Sequence, residues 1–288
     1  HFANLGDIDG DAIDDIAISA PAYWTSDGRI YVVSGASLPA PGGPDLDPTT
    51  ADWIFEAEAP LDGLESVDSA GDLDGDGLSD FAMGAVNNDF SSANNPGRMY
   101  IVYGGIAPGT YDVGVASSLR LHGSMHNKLG FEIHNVGDMG GDGVDDLLVS
   151  AWGYNAAGGG TGQIFLLSGA VLAGLTGNHL IDTVPDYYGF EAELYADMLA
   201  HSAAGDVNGD GIPDMLFAGR HTNLPQNPST GGVVHLVYGE ADPCQPGAGP
   251  IHVSMFTGSP AGPGGPNCPF DTIVDGIKGW GQFIGTYM

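Results

Sequence analysis

Four nine-residue windows carry aspartates at alternate positions, and that spacing suits metal chemistry. All four share the form D-x-[D/N/G]-x-D-x-h-x-D, where h is apolar. In the first window Asp7, Asp9, Asp11 and Asp15 fill positions 1, 3, 5 and 9, with Ile13 at position 7. The second has Asp72, Asp74, Asp76, Leu78 and Asp80, and the fourth has Asp206, Asn208, Asp210, Ile212 and Asp214. The third keeps Asp138, Asp142, Val144 and Asp146, but Gly140 replaces the position-3 ligand. Alternate side chains of a tight loop converge on one point, and the position-7 carbonyl supplies a further oxygen. Hard oxygen donors in that number suit calcium, whereas magnesium keeps its waters and zinc prefers His or Cys. The expectation is about four calcium ions, one per loop, with the Asp138 site weakest for want of a ligand.

Two other readings of these windows fit less well. An EF-hand needs a bidentate Glu at position 12 and a helix on each side. Position 12 is Ile18, Met83, Val149 and Phe217, each inside a strand pattern. Plain turns need one or two Asx residues, not four at alternate positions. Without a cation, each loop would also gather three or four mutually repelling carboxylates.

The elements that hold the windows are repeated with them. The first aspartates, Asp7, Asp72, Asp138 and Asp206, lie 65, 66 and 68 residues apart. A second element follows each: GRIYVVSG from Gly28, GRMYIVYG from Gly97, GQIFLLSG from Gly162 and GVVHLVYG from Gly232. Each unit reads as one strand running into the acidic loop (GFEIHNVG from Gly130), one leaving it (DLLVSA from Asp146), and the glycine-bounded third. Fourth strands are expected at Trp53–Glu58, Ser118–His122, His179–Thr183 and Ile251–Thr257. The second and third strands are apolar enough for burial on both faces. Four strands repeated at a fixed period predict an all-β chain, a β-propeller of four-stranded blades. The units fall at about residues 1–62, 63–128, 129–196 and 197–278, with a further unit starting at 279–288.

Composition agrees with this and excludes other classes. Gly 48 and Pro 19 in 288 residues favour short strands and turns over long helices. Hydrophobic residues at 42% supply a core, so the acidity is not that of a disordered tail. Lys+Arg 6 against Asp+Glu 37 gives a net charge of −31, which repels phosphate backbones and anionic headgroups. Nucleic acid is therefore not an expected partner. No apolar run is long enough to span a bilayer, so no membrane insertion is expected. The chain opens at His1 without the basic and apolar segments of a signal peptide, and reads as a mature or internal piece.

With those motifs in place, the chain resembles the FG-GAP repeats of integrin α-subunit propellers and of many bacterial secreted proteins. The Asp-rich loop, the following "GAP" (Ser19–Pro21, Gly84–Val86, Ser150–Trp152) and the GxVYVF-like strand carry the likeness. The "FG" is reversed at Gly130–Phe131 and Gly189–Phe190. The resemblance implies blades closing in sevens, calcium loops on the face opposite the ligand loops, and an extracellular or cell-surface setting. Seven such blades need more chain than this, so the sequence is expected to be part of a longer propeller rather than a closed four-bladed ring.

Cys244 and Cys268 flank a Pro/Gly-rich insertion, and in an extracellular chain they are expected to form a disulfide. Other chemistry is thin. His122 and His126 are four apart on a strand end and loop, not a helix. His134 and His201 fall at different offsets from their loops and so form no repeated ring. Trp24, Trp53, Trp152 and Trp280 read as core packing rather than sugar platforms. No catalytic motif stands out, so no enzyme is expected. The favoured reading is a calcium-stabilised adhesion or protein-interaction module with a protein or glycan ligand at the cell surface. Two alternatives stay open: a subunit of a surface layer, appendage or filament that contacts copies of itself, and a carbohydrate-binding or polysaccharide-lyase-like propeller.

Overall fold

The structure, a computed structural model, describes residues 1–21, 28–88, 95–124, 127–153, 162–184, 187–191, 197–220, 232–237, 239, 251–254 and 273–274. The disulfide expectation at Cys244 and Cys268 lies outside them, as do Trp24, His126 and Trp280. Strands make up nearly all the regular structure of the described residues. In chain order these are β1 (Phe2–Gly6), β2 (Asp15–Ala20), β3 (Arg29–Val33), β4 (Trp53–Glu56), β5 (Leu64–Gly71), β6 (Asp80–Ala85) and β7 (Arg98–Val102). Next come β8 (Gly109–Asp112), α1 (Val113–Ala116), β9 (Leu119–His122), β10 (Leu129–Gly137), β11 (Asp146–Ala151), β12 (Gln163–Leu167), α2 (Gly169–Ala173) and β13 (Gly177–Leu180). The last are β14 (Tyr187–Glu191), β15 (Asp197–Gly205), β16 (Asp214–Arg220), β17 (Gly232–Val237), β18 (Ile251–Ser254) and β19 (Ile273–Val274). Among the described residues no helix is long and apolar enough to cross a membrane.

The strands form sheets ordered β1-β2-β3-β4-β8, β5-β6-β7-β9-β13, β10-β11-β12-β14-β18 and β15-β16-β17-β19. The first four strands of each are antiparallel neighbours, a blade meander, while β8, β13 and β18 add in parallel to β4, β9 and β14. The first strands of successive sheets, β1, β5, β10 and β15, pack side by side, which puts them innermost. This is the all-β propeller architecture that the repeats predict.

Two corrections to the fourth strands follow. The segment expected at His179–Thr183 is not the fourth strand of its own sheet. Gly177–Leu180 forms β13 on the edge of the preceding sheet, Ile181–Thr183 turns as a 3-10 helix, and β14 takes the fourth place. Likewise Ile251–Ser254 pairs with β14 of the preceding sheet, and β19 follows β17. The physical reason is edge closure. Between their third and fourth strands the second, third and fourth units cross to the outer edge of the sheet before and satisfy N–H and C=O groups left open there. Strand β8 does the same for the first sheet and has no counterpart among the expected strands.

The core lies between the sheets. Strands β6 and β11 are buried at every residue, as are β7 and β12. Alternation divides β6: Phe81, Met83 and Ala85 join Trp53, Phe55 and Tyr100 against the first sheet, while Ala82 joins Leu147 and Val149 against the third. Arg98 on β7, 2% exposed, forms an ion pair with Glu58, and the Tyr100 hydroxyl donates to the same carboxylate at 3.1 Å. Burial first, and the Glu58 charge second, push the Tyr100 phenol far above its usual range.

Close backbone approach explains the glycines of the repeat. A Cβ on Gly84, in the "GAP" position, would lie 2.0 Å from the Gly130 carbonyl oxygen and 2.3 Å from Ser66 Oγ, itself bonded to that carbonyl at 2.7 Å. Gly71 combines a φ of 70° with a Cβ position 2.9 Å from Asp145 Cβ of the next loop. We expect Gly84→Ala to destabilise by about 1–3 kcal/mol, read as a fall in denaturation midpoint. Gly174→Ala is the control, because its Cβ would meet only Val171 O at 3.5 Å; its effect should stay within about 0.5 kcal/mol.

Candidate metal centre

Each acidic loop joins the first strand of a sheet to the second, so the window begins where one strand ends and finishes on the first residue of the next. The loops fold by capping their own backbone. The position-1 carboxylate accepts from the N–H groups that follow it: Asp7 from Gly10 at 2.7 Å and Ala12 at 2.8 Å, Asp72 from Gly75 and Gly77 at 2.8 and 2.9 Å. Asp138 and Asp206 repeat this with Gly143 and Gly211, at 2.8 and 2.9 Å. Position 5 accepts from the position-7 N–H in all four loops, Asp11 from Ile13, Asp76 from Leu78, Asp142 from Val144 and Asp210 from Ile212. These are Asx turns in series. They need a left-handed residue at position 6, which is Gly77, Gly143 and Gly211 but Ala12 (φ 68°) in the first loop.

Position 9 is different, because its side chain is buried. Asp15, Asp80 and Asp214 are 0% exposed and Asp146 is 4% exposed. One oxygen accepts from the position-2 N–H, of Ile8, Leu73, Met139 and Val207, at 2.7–2.9 Å. The other accepts from a glycine just past the third strand, Gly35, Gly104, Gly169 and Gly239, at 2.8–3.0 Å. One carboxylate thus ties three strands of the sheet at one end.

Positions 1, 3 and 9 converge. Ligand-capable atoms of Asp7, Asp9 and Asp15 lie within 4.8 Å of one another, and so do those of Asp72, Asp74 and Asp80. Asp11 and Asp76, at position 5, are not part of these tight groups. The third and fourth loops hold no such carboxylate triple among the described residues, since position 3 is Gly140 and Asn208. A Cβ at Gly140 would stand 3.8 and 3.9 Å from carboxylate oxygens of Asp142 and Asp146, in ordinary contact. A side chain there therefore points into the cluster. The donor set is all oxygen, and three carboxylates share a small volume whose third member is buried, which fits a hard divalent cation.

The electrostatics agree. Burial, and then the Asp74 charge, push the Asp80 carboxyl up to about 6 against the pull of the Gly104 and Leu73 N–H groups. Burial and Asp142 do the same to Asp146, also to about 6. Asp15 is raised for the same first reason. At Asp7 desolvation also raises, but the N–H donors of Ala12, Gly10, Asp9 and Asp11 outweigh it and hold the carboxyl below its usual value.

Other predicted groups fall as follows. Trp53 is buried, with its indole N–H on the Ile106 carbonyl at 2.8 Å, and so packs in the core. Trp152 is 39% exposed, edge-on to Phe131, with Lys128 Nζ 4.8 Å from its ring centroid. His134 and His201, which by their offsets form no repeated ring, nevertheless meet with centroids 5.0 Å apart. They lie on the first strands of neighbouring sheets, β10 and β15, and the packing of sheet on sheet is not visible in sequence spacing.

The raised carboxyls have a pH consequence. A native pKa near 6 against about 3.8 unfolded means that the native state holds protons that the unfolded chain has lost between those values. Stability from Asp80 and Asp146 is therefore full below about pH 4 and is lost as pH rises through about 6. In chelator, the melting temperature should climb as pH falls from 7.5 to 5. A monotonic fall over that range would contradict it.

Comparison with known proteins places this architecture. Residues 3–33, which enclose the first acidic loop, match the FG-GAP repeat. The chain is 30% identical over 164 residues to integrin alpha-PS2 of Drosophila melanogaster, covering 51% of this chain and 11% of that protein. It is 32% identical over 167 residues to integrin alpha-5 of Xenopus laevis, covering 54% of this chain and 15% of that protein. The matched region thus spans about a tenth to a seventh of those relatives' length. Residues 3–33 thus match the FG-GAP repeat, and about half of the chain is similar to part of two integrin alpha chains.

Proposed function

We propose that this chain is a calcium-stabilised segment of an extracellular β-propeller that serves as an adhesion or protein-interaction module, with calcium structural and not catalytic. The observation that carries the reading is the convergence of Asp7, Asp9 and Asp15, and of Asp72, Asp74 and Asp80, in loops that also bury a carboxylate. In each loop positions 1, 3, 5 and 9 would supply side-chain oxygens and position 7 a backbone carbonyl. The full set is Asp7, Asp9, Asp11, Ile13 and Asp15; Asp72, Asp74, Asp76, Leu78 and Asp80; Asp138, Asp142, Val144 and Asp146; and Asp206, Asn208, Asp210, Ile212 and Asp214. The bound cation offsets the repulsion, and the position-9 aspartate passes that order to the third strand. Likeness to integrin alpha chains supports a protein ligand and a cell-surface or secreted setting. Such a ligand would sit on the face opposite the acidic loops. The role assigned is binding, not turnover.

Three outcomes test the metal part. Millimolar calcium should raise the melting temperature by roughly 10 °C or more over chelator, as binding to the native state alone requires. Asp74→Asn should cut that gain and weaken calcium affinity at least about tenfold. Gly140→Asp should do the reverse at the third loop and tighten one site in a calorimetric titration. An unchanged melting temperature with and without calcium would remove the reading.

A further inference from the structure

The innermost strands carry a second cluster, of different chemistry. His134 on β10 and His201 on β15 sit on adjacent strands of neighbouring sheets, their ring centroids 5.0 Å apart and their planes at 87°. His201 is 4% exposed, and neither of its ring nitrogens makes a well-formed hydrogen bond, with the Glu132 backbone beside the ring. Glu132 lies two residues before His134 and so on the same face of β10. Its carboxylate accepts from the His201 backbone N–H, and its Oε2 is buried without a partner. Three buried polar atoms left open at one place are costly, and an ion is one way to satisfy them.

Asp68 completes the arrangement from β5. Its Oδ2 stands 3.4 Å from His134 Nδ1, and the carboxylate is itself held by the N–H groups of Ser69 at 2.9 Å and Asn135 at 3.2 Å. A carboxylate beside Nδ1 favours the tautomer that leaves Nε2 with its lone pair, and is the usual outer partner of a metal-bound histidine. Two imidazoles on one tetrahedral ion, each nitrogen about 2.0–2.1 Å from it, place their centroids roughly 5 Å apart. The observed separation matches that. His134 is a third exposed, which gives an ion its way in.

We propose that β10 and β15 hold a site for a transition-metal ion of the zinc class, with His134, His201 and Glu132 as ligands and Asp68 orienting His134. Nitrogen donors separate this site from the all-oxygen acidic loops, since imidazole suits zinc, cobalt and nickel and not calcium. Closing it requires the Glu132 carboxyl to turn toward the two rings, which are not already gathered with it into a tight triple.

The test uses the whole chain in saturating calcium, so that the acidic loops are filled, and titrates cobalt(II) by its visible absorption and zinc by calorimetry. One ion per chain at micromolar affinity or tighter, with a nitrogen-ligated cobalt spectrum, is the expected result. His201→Ala should weaken binding at least roughly tenfold, as should His134→Gln, which alters a half-buried side chain and leaves the fold intact by circular dichroism. Asp68→Asn should lower cobalt affinity with the melting temperature in calcium alone unchanged. Failure of the unaltered chain to take up either metal in saturating calcium would overturn the proposal. So would uptake that His134→Gln leaves untouched, which would mean metal on the acidic loops.

Discussion

A carboxylate buried at the ninth position of each acidic loop is the constraint that the rest of the structure answers to. Asp15, Asp80, Asp146 and Asp214 lie almost wholly out of solvent, where an ionised group is costly unless it is met by donors or opposite charge. Each meets two backbone N–H groups, one from its own loop and one from beyond the third strand. With Lys+Arg 6 against Asp+Glu 37, basic side chains are too few to neutralise the clusters around them. Among the described residues the two arginine–glutamate pairs, Arg29 with Glu56 and Arg98 with Glu58, lie elsewhere. The donor atoms of the two tight groups are carboxylate oxygens throughout.

The same economy of space joins sheet to sheet. Small residues let backbones touch where Gly84 faces Gly130 and where Gly97 faces Leu129. Loop carbonyls of the first sheet accept from the second, Asp7 O from Ser79 N at 2.8 Å and Ile8 O from Gly105 N at 2.7 Å. The first two acidic loops are thereby neighbours on one rim, so order in one steadies the next. At the outer edge, β8, β13 and β18 bind the preceding sheet, which couples successive units at both their inner and outer margins.

The parts of this that are local are legible in the sequence. Alternating aspartates, the glycine at position 6 and the apolar strands that flank them are set by turn chemistry and burial within one window, and the loops fold as those rules require. The fourth strands are different. GNHL at Gly177–Leu180 and YYGFE at Tyr187–Glu191 are both short and mixed, and only the neighbouring sheet decides which pairs in parallel and which completes the meander. The meeting of His134 with His201 was hidden for a similar reason, because it depends on how β10 packs against β15 of the next sheet. Burial of the position-9 aspartate was also out of view, since its partners Gly35, Gly104, Gly169 and Gly239 lie about 20 residues or more downstream.

Anomalous scattering from crystals of the chain grown in millimolar calcium tests the central claim most directly. The account predicts calcium peaks inside the loops at Asp7–Asp15 and Asp72–Asp80, each ringed by oxygens at about 2.3–2.6 Å. Well-ordered loops with no anomalous density, in crystals of the folded chain, would contradict it.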